Sequence, residues 1–205
     1  MRVALHLVYG IGDCLVKLSI ALVHSPVLNK KGDSVTTNIT NFDIHDIARV
    51  ARTYGAEKYF IINNTQEQLM YAERVLSHWK SGEGSKLNSK RTQALKRIVT
   101  AESLDKVCAQ FKEKPMVIAT AARPIEGCQL VGFRQLRERF EKASDGSDNH
   151  FLLLFGTGFG LPEDWIKAHC DMLLEPITGA SSDGYNHLSV RSAVSICLDR
   201  LLGQW

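Results

Sequence analysis

Residues 150–203, HFLLLFGTGFGLPEDWIKAHCDMLLEPITGASSDGYNHLSVRSAVSICLDRLLG, hold two bare apolar strands, each followed by a glycine-rich turn and a helix start. The glycines of the two turns are Gly156, Gly158, Gly160, Gly179 and Gly184. Turns of this kind beyond strand ends are where open α/β sheets hold ligands, because they leave backbone donors and acceptors uncovered. The segment therefore predicts an α/β fold with a pocket for a small molecule.

The first turn, GTGFG, argues against a phosphate-bearing ligand. It does not match the dinucleotide fingerprint GxGxxG, because Leu161 stands where the third glycine belongs. Pro162 and two acids, Glu163 and Asp164, then open a helix, and acids at a helix N-terminus repel a bound pyrophosphate. A ligand with an adenine and a positive charge fits better. The second turn is either a structural connection or a binding loop, and its length of roughly eleven residues favours the binding loop.

The rest of the chain alternates apolar strands with amphipathic helices. Strands are predicted at 18–27, 58–63, 115–120, 151–155 and 171–177, with a weaker one at 97–101. Helices are predicted near 44–51, 66–80, 89–96, 103–112 and 131–142, from 162, and after the N-cap Ser189. Continuous apolar strands between helices indicate a mainly parallel sheet with helices on both faces. The predicted organisation is one domain, residues 18–205, after an N-terminal extension, residues 1–17, of uncertain structure; 81–89 and 143–150 are predicted to be flexible.

Composition excludes several classes of protein. No stretch of the 205 residues approaches the roughly 18 apolar residues of a membrane span. The five cysteines are scattered and form no CxxC, which indicates reduced, buried thiols in a cytoplasmic protein and no metal site.

Basic residues are clustered although the net charge is only +3. Six lie between Lys80 and Arg97 with a single acid, Glu83, and four arginines follow at positions 123, 134, 137 and 139. Such clusters either neutralise the phosphates of a nucleic acid or form solvated helix faces, and charge alone favours the second interpretation.

A third candidate region is the helix that contains Asp43, His45, Asp46 and Arg49. The pattern predicts a variant capping box between Thr40 and Asp43 and an i, i+3 ion pair between Asp46 and Arg49.

Together these stretches resemble the trefoil-knotted, SPOUT-class RNA methyltransferases. The helix motif R-x-A-x-x-(F/Y)-G is matched from Arg49 to Gly55, the glycine turn by FGTGFGLP, and the closing motif by EPITGASSDGYNHLSVRSA. More closely, IALVH, NKKG, TNITNFDIHDIAR and YNHLSVRSA resemble a small bacterial family of predicted RNA methyltransferases that use S-adenosylmethionine (SAM). The similarity covers about residues 18–203.

The resemblance implies a C-terminal trefoil knot, SAM as cofactor, an RNA substrate (tRNA or rRNA) and a homodimer in the cytoplasm. It places the cofactor at Thr120, Ala121, Arg123, Gly156, Thr157, Gly158, Gly160, Ile177, Gly179, Asn186, Leu188 and Ser189. It implies that Arg49 orients or deprotonates the acceptor. Asp43 and Asp46 on the same helix are further candidates for the catalytic base, and the sequence does not decide among the three.

Two departures leave the methylated atom open. Ribose-methylating relatives carry a glutamate where this chain has Gly158, and an asparagine where it has Asp43. An aspartate can act as a base toward a ring nitrogen, as in guanine-N1-methylating relatives. The rival hypotheses are a knotted RNA-binding or regulatory protein that binds SAM without catalysis, and a methyltransferase acting on protein or a small molecule.

Overall fold

The computed structural model describes residues 17–143 and 150–204. The strands are β1 (Lys17–Val23), β2 (Val27–Leu28), β3 (Ser34–Val35), β4 (Tyr59–Ile62), β5 (Ile98–Ala101), β6 (Met116–Thr120), β7 (Leu130–Val131), β8 (His150–Gly156) and β9 (Met172–Leu174). The helices are α1 (Asn41–Thr53), α2 (Gln66–Lys80), α3 (Glu83–Leu87), α4 (Ser89–Leu95), α5 (Leu104–Cys108), α6 (Phe133–Ala143), α7 (Glu163–His169) and α8 (Val190–Leu202).

Seven strands form one sheet in the order β5-β4-β1-β8-β6-β9-β7, and every pair in it is parallel. This confirms the predicted parallel sheet. The separate pair β2–β3 is an antiparallel hairpin between β1 and α1. Because parallel strands share one carboxyl edge, the segments that follow β1, β8, β6 and β9 all leave the sheet on the same side.

The two faces of the sheet are covered by different layers. Along β1, Leu18, Ile20 and Leu22 point to a core shared with α1, α2, α4, α6 and α8. The alternate residues Ala21 and Val23 point to a second core with α5, α7 and the hairpin. Continuous apolar strands are explained by this burial on both sides.

Helix ends follow the local chemistry of the chain. Thr40 caps α1 by accepting from the Asp43 amide at 3.1 Å, and its hydroxyl donates to the Asp43 carboxylate at 2.6 Å. Gly55 ends that helix with φ of 78°, a left-handed conformation that glycine adopts without strain. Ser189 caps α8 by accepting from the Ser192 amide, as predicted. The α2 prediction, 66–80, matches its observed bounds.

Several predicted boundaries are wrong. The first strand ends at Val23 rather than at residue 27, because the chain turns at Pro26 into the hairpin. β9 ends at Leu174 rather than at residue 177, since the Glu175 side chain turns back to accept from the Phe133 amide and Pro176 has no N–H to donate. The last loop is therefore residues 175–189, longer than expected. The segment predicted to be flexible at 81–89 contains α3, and the helix predicted at 103–112 ends at Cys108.

Three sequence predictions lie largely or wholly outside the described residues. They are the N-terminal extension, of which only Lys17 is described, the prediction of flexibility at 143–150, of which only the two end residues are described, and the thiol of Cys14. The four described cysteines are free; Cys197 is buried and Cys108, Cys128 and Cys170 are half-buried. Burial raises the pKa of Cys170 and of Cys197 to about 12, so both remain thiols at neutral pH.

No helix within the described ranges is long and apolar enough to cross a membrane. Within the same ranges, no group of three or more histidine, cysteine or carboxylate side chains is arranged to hold a metal ion.

Candidate cofactor and acceptor site

The three predicted cofactor loops follow three adjacent strands, β8, β6 and β9, at one edge of the sheet. The Asn186 amide donates to the carbonyl of Ala122 at 2.9 Å, which joins the loop after β9 to the loop after β6. Arg123 pairs with Glu163 at 2.5 Å, which joins the β6 loop to the start of α7, just beyond the glycine turn. The fold therefore brings together segments that are far apart in sequence. The stretch 156–160 is called the glycine turn below, and residues 175–189 the closing loop.

Thr37 is the centre of the bonds that hold the glycine turn. Its hydroxyl lies 2.5 Å from that of Thr157, which also donates to the Val23 carbonyl. The ring of His24 contacts the Thr37 hydroxyl at 3.0 Å, and Asn63 donates to the Thr37 carbonyl at 3.0 Å. His24 and Asn63 are buried. Burial lowers the pKa of His24 to about 4, so the ring is neutral at neutral pH.

The hairpin fixes the other side of the glycine turn. Leu28 donates to the Gly160 carbonyl at 2.8 Å and accepts from the Phe159 amide at 2.9 Å. Gly158 has φ of 58°, and a Cβ added there would lie 2.8 Å from the Leu28 carbonyl oxygen. A glutamate at Gly158, as in ribose-methylating relatives, is therefore incompatible with this hairpin position.

The closing loop is bonded far less. Its backbone N–H groups at 177–179 and 186–189 donate to no residue in the described part of the chain. Space is open beside Gly179 and Gly184, where an added Cβ would meet nothing within 4 Å. The side chains of Tyr185 and Leu188 are exposed. This loop offers unused backbone donors next to the ordered glycine turn.

The predicted catalytic acids are held beside the end of the closing loop by an arginine of α8. The Arg191 guanidinium lies 3.3 Å from the Asp46 carboxylate and 3.7 Å from that of Asp43. It also covers the ring of Phe42 at 5.3 Å. The predicted ion pair between Asp46 and Arg49 is wrong, because Arg191, only two residues after Ser189, is the partner of Asp46.

Arg49 lies on an exposed cationic surface. It forms no ion pair with any described residue, and it lies close enough to His45 to lower the pKa of that ring. Burial is the largest cause of the lowered His45 pKa, followed by Arg91. Arg91 stacks on Trp79, with 4.8 Å to the ring, and His45 meets the same ring edge-on with 5.3 Å between centroids. Arg91 therefore contacts this aromatic pair directly, and Arg49, one helical turn after His45 on α1, lies near it.

Comparison with known proteins assigns the chain to a family. The model of a family described as SAM-dependent RNA methyltransferase matches residues 17–203. The chain belongs to this family. The protein is therefore an enzyme that transfers a methyl group from SAM to RNA, and SAM is its cofactor.

Relatives of the methyltransferase support the assignment. An uncharacterised protein of Aquifex aeolicus is 38% identical over 189 residues, which cover 90% of this chain and 88% of the relative. A tRNA (guanine-N(1)-)-methyltransferase of Oleidesulfovibrio alaskensis is 39% identical over 187 residues, which cover 89% of this chain. The match spans only 41% of that longer relative.

Solved structures show the same fold. A putative methylase family protein from Neisseria gonorrhoeae superposes with a TM-score of 0.62 at 21% identity, covering 95% of this chain and 85% of its own. TrmJ from Z. mobilis superposes with a TM-score of 0.56 at 14% identity, covering 91% and 69%. The predicted likeness to SPOUT-class methyltransferases is confirmed at the level of fold.

Three parts of the candidate site were not predicted from the sequence: Arg191, the hydrogen bonds around Thr37 and His24, and the hairpin against the glycine turn. Arg191 lies within the closing motif, two residues after the N-cap Ser189, and this position could have indicated that it belongs to the site. The bonds around Thr37 include a contact between residues 120 positions apart in sequence, which no local sequence pattern reveals.

Proposed function

We propose that this methyltransferase modifies a nucleotide of tRNA, with SAM bound between the glycine turn and the closing loop and the acceptor nucleotide beside Asp46. One observation carries the proposal most strongly. Arg191 pairs with both acids of α1 immediately after the closing loop, so the candidate proton acceptor and the candidate cofactor loop share one corner of the fold.

The chemistry of the loops fits SAM. Adenine offers one donor and several acceptors, which the unused backbone amides of 177–179 and the carbonyls of the open loop complement. Thr120, Ala121, Gly156 and Gly160 line the facing strand ends. The loops present no free lysine or arginine among described residues for a phosphate, since Arg123 is paired with Glu163. These features suit a cationic nucleoside better than a nucleotide.

The protein's contribution to the reaction is alignment and proton removal. SAM supplies an already activated methyl group, so the site must hold the acceptor in line with it. The Asp46 side chain is 45% exposed, whereas Asp43 is nearly buried and bonded to Thr40. Asp46 is therefore the better candidate to accept the acceptor's proton, Asp43 fixes Arg191, and Arg49 orients the RNA.

The RNA surface runs from α4 to α1. Within the cluster at 80–97, Lys80 donates to the Ile98 carbonyl and Lys86 pairs with Glu83, so neither is free. Arg91 remains on the surface near Arg49. The second cluster is tied to the protein: Arg123 to Glu163, Arg134 to Glu138, Arg137 to the Gly203 carbonyl and Arg139 to Met172. Phosphates are therefore expected on α1 and α4.

The choice of tRNA rests on the Oleidesulfovibrio relative, whose name specifies tRNA. The chain spans about two fifths of that protein, so the guanine-N1 position in the name does not decide the methylated atom here.

We further propose that the protein is a knotted, cytoplasmic homodimer. Phe42 of α1 and Tyr185 and Leu188 of the closing loop are exposed, and a homodimer would cover these apolar side chains. We expect the chain of the closing segment to be threaded as a trefoil knot, and the enzyme to act in the cytoplasm. Light scattering of the purified chain should give the mass of a dimer, and a Leu188→Asp variant should shift it toward the monomer.

Methyl transfer tests the function directly. Labelled methyl from SAM should appear in undermodified tRNA with the wild-type chain, and Asp46→Asn should lower the rate by about a hundredfold or more. Arg49→Ala should also abolish most transfer, whereas Arg134→Ala, an exposed arginine on α6, should leave it unchanged. SAM binding without transfer to any RNA pool would contradict the proposal and favour a binding-only role.

A further inference from the structure

A polar cavity of about 490 Å³ lies at the carboxyl edge of the sheet, away from the cofactor loops. Its volume is in the range of small-molecule sites in proteins. Five segments line it: the end of β1, the hairpin, the turn after β4, the start of α5 and one face of α7. The methyl-transfer site described above uses none of its lining residues.

One wall of the cavity is aromatic. Trp165 and His169, on successive turns of α7, are stacked with 4.8 Å between ring centroids and 21° between planes. The His169 ring also contacts the Trp165 carbonyl at 2.8 Å, which fixes its orientation. A stacked pair presents a flat π surface, the surface on which proteins stack unpaired RNA bases.

Another part of the lining offers hydrogen-bond acceptors and a neutral amide. The carboxylates of Glu102 and Asp105 are exposed and bond to no other described residue, and Asn64 stands beside them, accepting from the Thr36 hydroxyl. Among the residues that the structure describes, no lysine or arginine lines the cavity. A phosphate is therefore disfavoured there, and a flat group that presents hydrogen-bond donors is favoured.

Among the four RNA bases, guanine alone presents two adjacent donors, N1–H and the N2 amine, on its pairing edge. A carboxylate accepts both at once through its two oxygens. Adenine and cytosine pair one donor with an acceptor, and uracil has one donor between two acceptors, so each would leave a carboxylate facing an acceptor. The lining thus favours guanine over the other bases, because each of them would leave polar groups without a partner. An unmatched polar group costs more binding free energy than a missing contact.

The hairpin stands between this cavity and the glycine turn. Ser34 of β3 lines the cavity and pairs with Leu28 of β2, which on its other side bonds to Phe159 and Gly160 of the glycine turn. The acceptor atom of the reacting nucleotide must lie about 3–3.5 Å from the methyl carbon. A base in the cavity, behind the hairpin, therefore suits a neighbouring nucleotide rather than the reacting one.

We propose that this cavity binds a guanine base of the RNA substrate, at a nucleotide near the one that is methylated, and so selects the methylated position by its neighbour. The inference rests on the RNA substrate of the proposed function. Glu102 and Asp105 receive the guanine edge, and the Trp165–His169 pair stacks on its face.

Binding of free nucleotides to the whole protein tests the inference without any methyl transfer. The four 5′-monophosphates share one phosphate, so differences among them report the base alone. GMP should quench the tryptophan fluorescence at millimolar concentration and bind at least tenfold more tightly than AMP, CMP or UMP. Glu102→Gln and Asp105→Asn should each weaken GMP binding about tenfold or more, while Glu113→Gln, an exposed glutamate outside the cavity, should not.

Equal binding of the four nucleotides, no GMP binding at millimolar concentration, or GMP binding that both cavity variants retain would overturn the inference. A second measurement separates it from the proposed function. Glu102→Gln should raise the KM for RNA and leave SAM affinity unchanged. If the wild-type chain transfers methyl to no RNA, the proposed function fails, whereas the nucleotide preference still decides this inference.

Discussion

The glycine turn and the closing loop look alike in sequence, since both are glycine-rich segments that follow an apolar strand. In the structure they differ. The turn is bonded to the hairpin through Leu28 and to Thr37 through Thr157, whereas the closing loop carries unused backbone amides and open space beside Gly179. In the glycine turn the glycines allow close packing, whereas in the closing loop they leave space that a ligand can enter. We infer that one wall of the proposed SAM site is preformed in the free protein, and that SAM binding orders the other.

Substituting one glycine in each segment should show the largest difference between the glycine turn and the closing loop. Gly158→Ala places a Cβ against the Leu28 carbonyl and forces a left-handed conformation, so the free energy of unfolding should fall by about 2–4 kcal/mol. Gly179→Ala meets no atom of the protein, so the unfolding free energy should change by less than about 0.5 kcal/mol while SAM binds several-fold more weakly. Urea unfolding and calorimetric SAM titration of both variants measure these effects. Equal unfolding free energies in the two variants would contradict the contrast.

Lowering the pH should weaken the hydrogen bonds through which His24 and Thr37 hold the glycine turn. His24 has a pKa of about 4 when folded, whereas a histidine in the unfolded chain has about 6.5. Between these values the unfolded state binds the extra proton, so stability falls as the pH drops from 6.5 to 4, by up to about 3 kcal/mol. His24→Gln should flatten this slope in urea unfolding at several pH values. His187→Gln, an exposed histidine of the closing loop, should preserve it, and an unchanged slope in His24→Gln would show that His24 is not the source.

The bond between Asn186 and Ala122 should have the smallest effect. Asn186→Ala removes one exposed hydrogen bond that orders the closing loop, so SAM affinity should fall about fivefold, or about 1 kcal/mol, with unfolding unchanged. Calorimetric titration against wild type measures the loss. Asn38→Ala, an exposed asparagine outside the closing loop, is the matched control. SAM affinity equal to wild type in Asn186→Ala would show that the loop is ordered by other contacts.

Periodicity and capping chemistry predicted most of the fold. The bounds of α2, the caps at Thr40 and Ser189 and the parallel sheet follow from local pattern and strand burial. The hairpin could not be predicted, because its two-residue strands are too short to show alternation and it is held by the glycine turn from more than a hundred residues away.

The site was predictable in outline only. Its cofactor loops came from the resemblance to a family, and the structure brings them to one sheet edge. The partner of Asp46 was mispredicted, because an i, i+3 rule considers only the same helix, while Arg191 reaches across from α8. The basic clusters were predicted from charge alone, which does not show that the later arginines are each bonded to the protein or that Lys80 and Lys86 of the first cluster are bonded as well.

Hydrogen exchange of the whole protein, with and without SAM, tests the central claim most directly. We expect the amides of 157–160 to be protected already in the free protein, and those of 177–189 to exchange fast and to become protected when SAM binds. Equal protection of the two segments in the free protein, or no change at 177–189 at saturating SAM, would contradict a cofactor site with one preformed wall and one that the ligand completes.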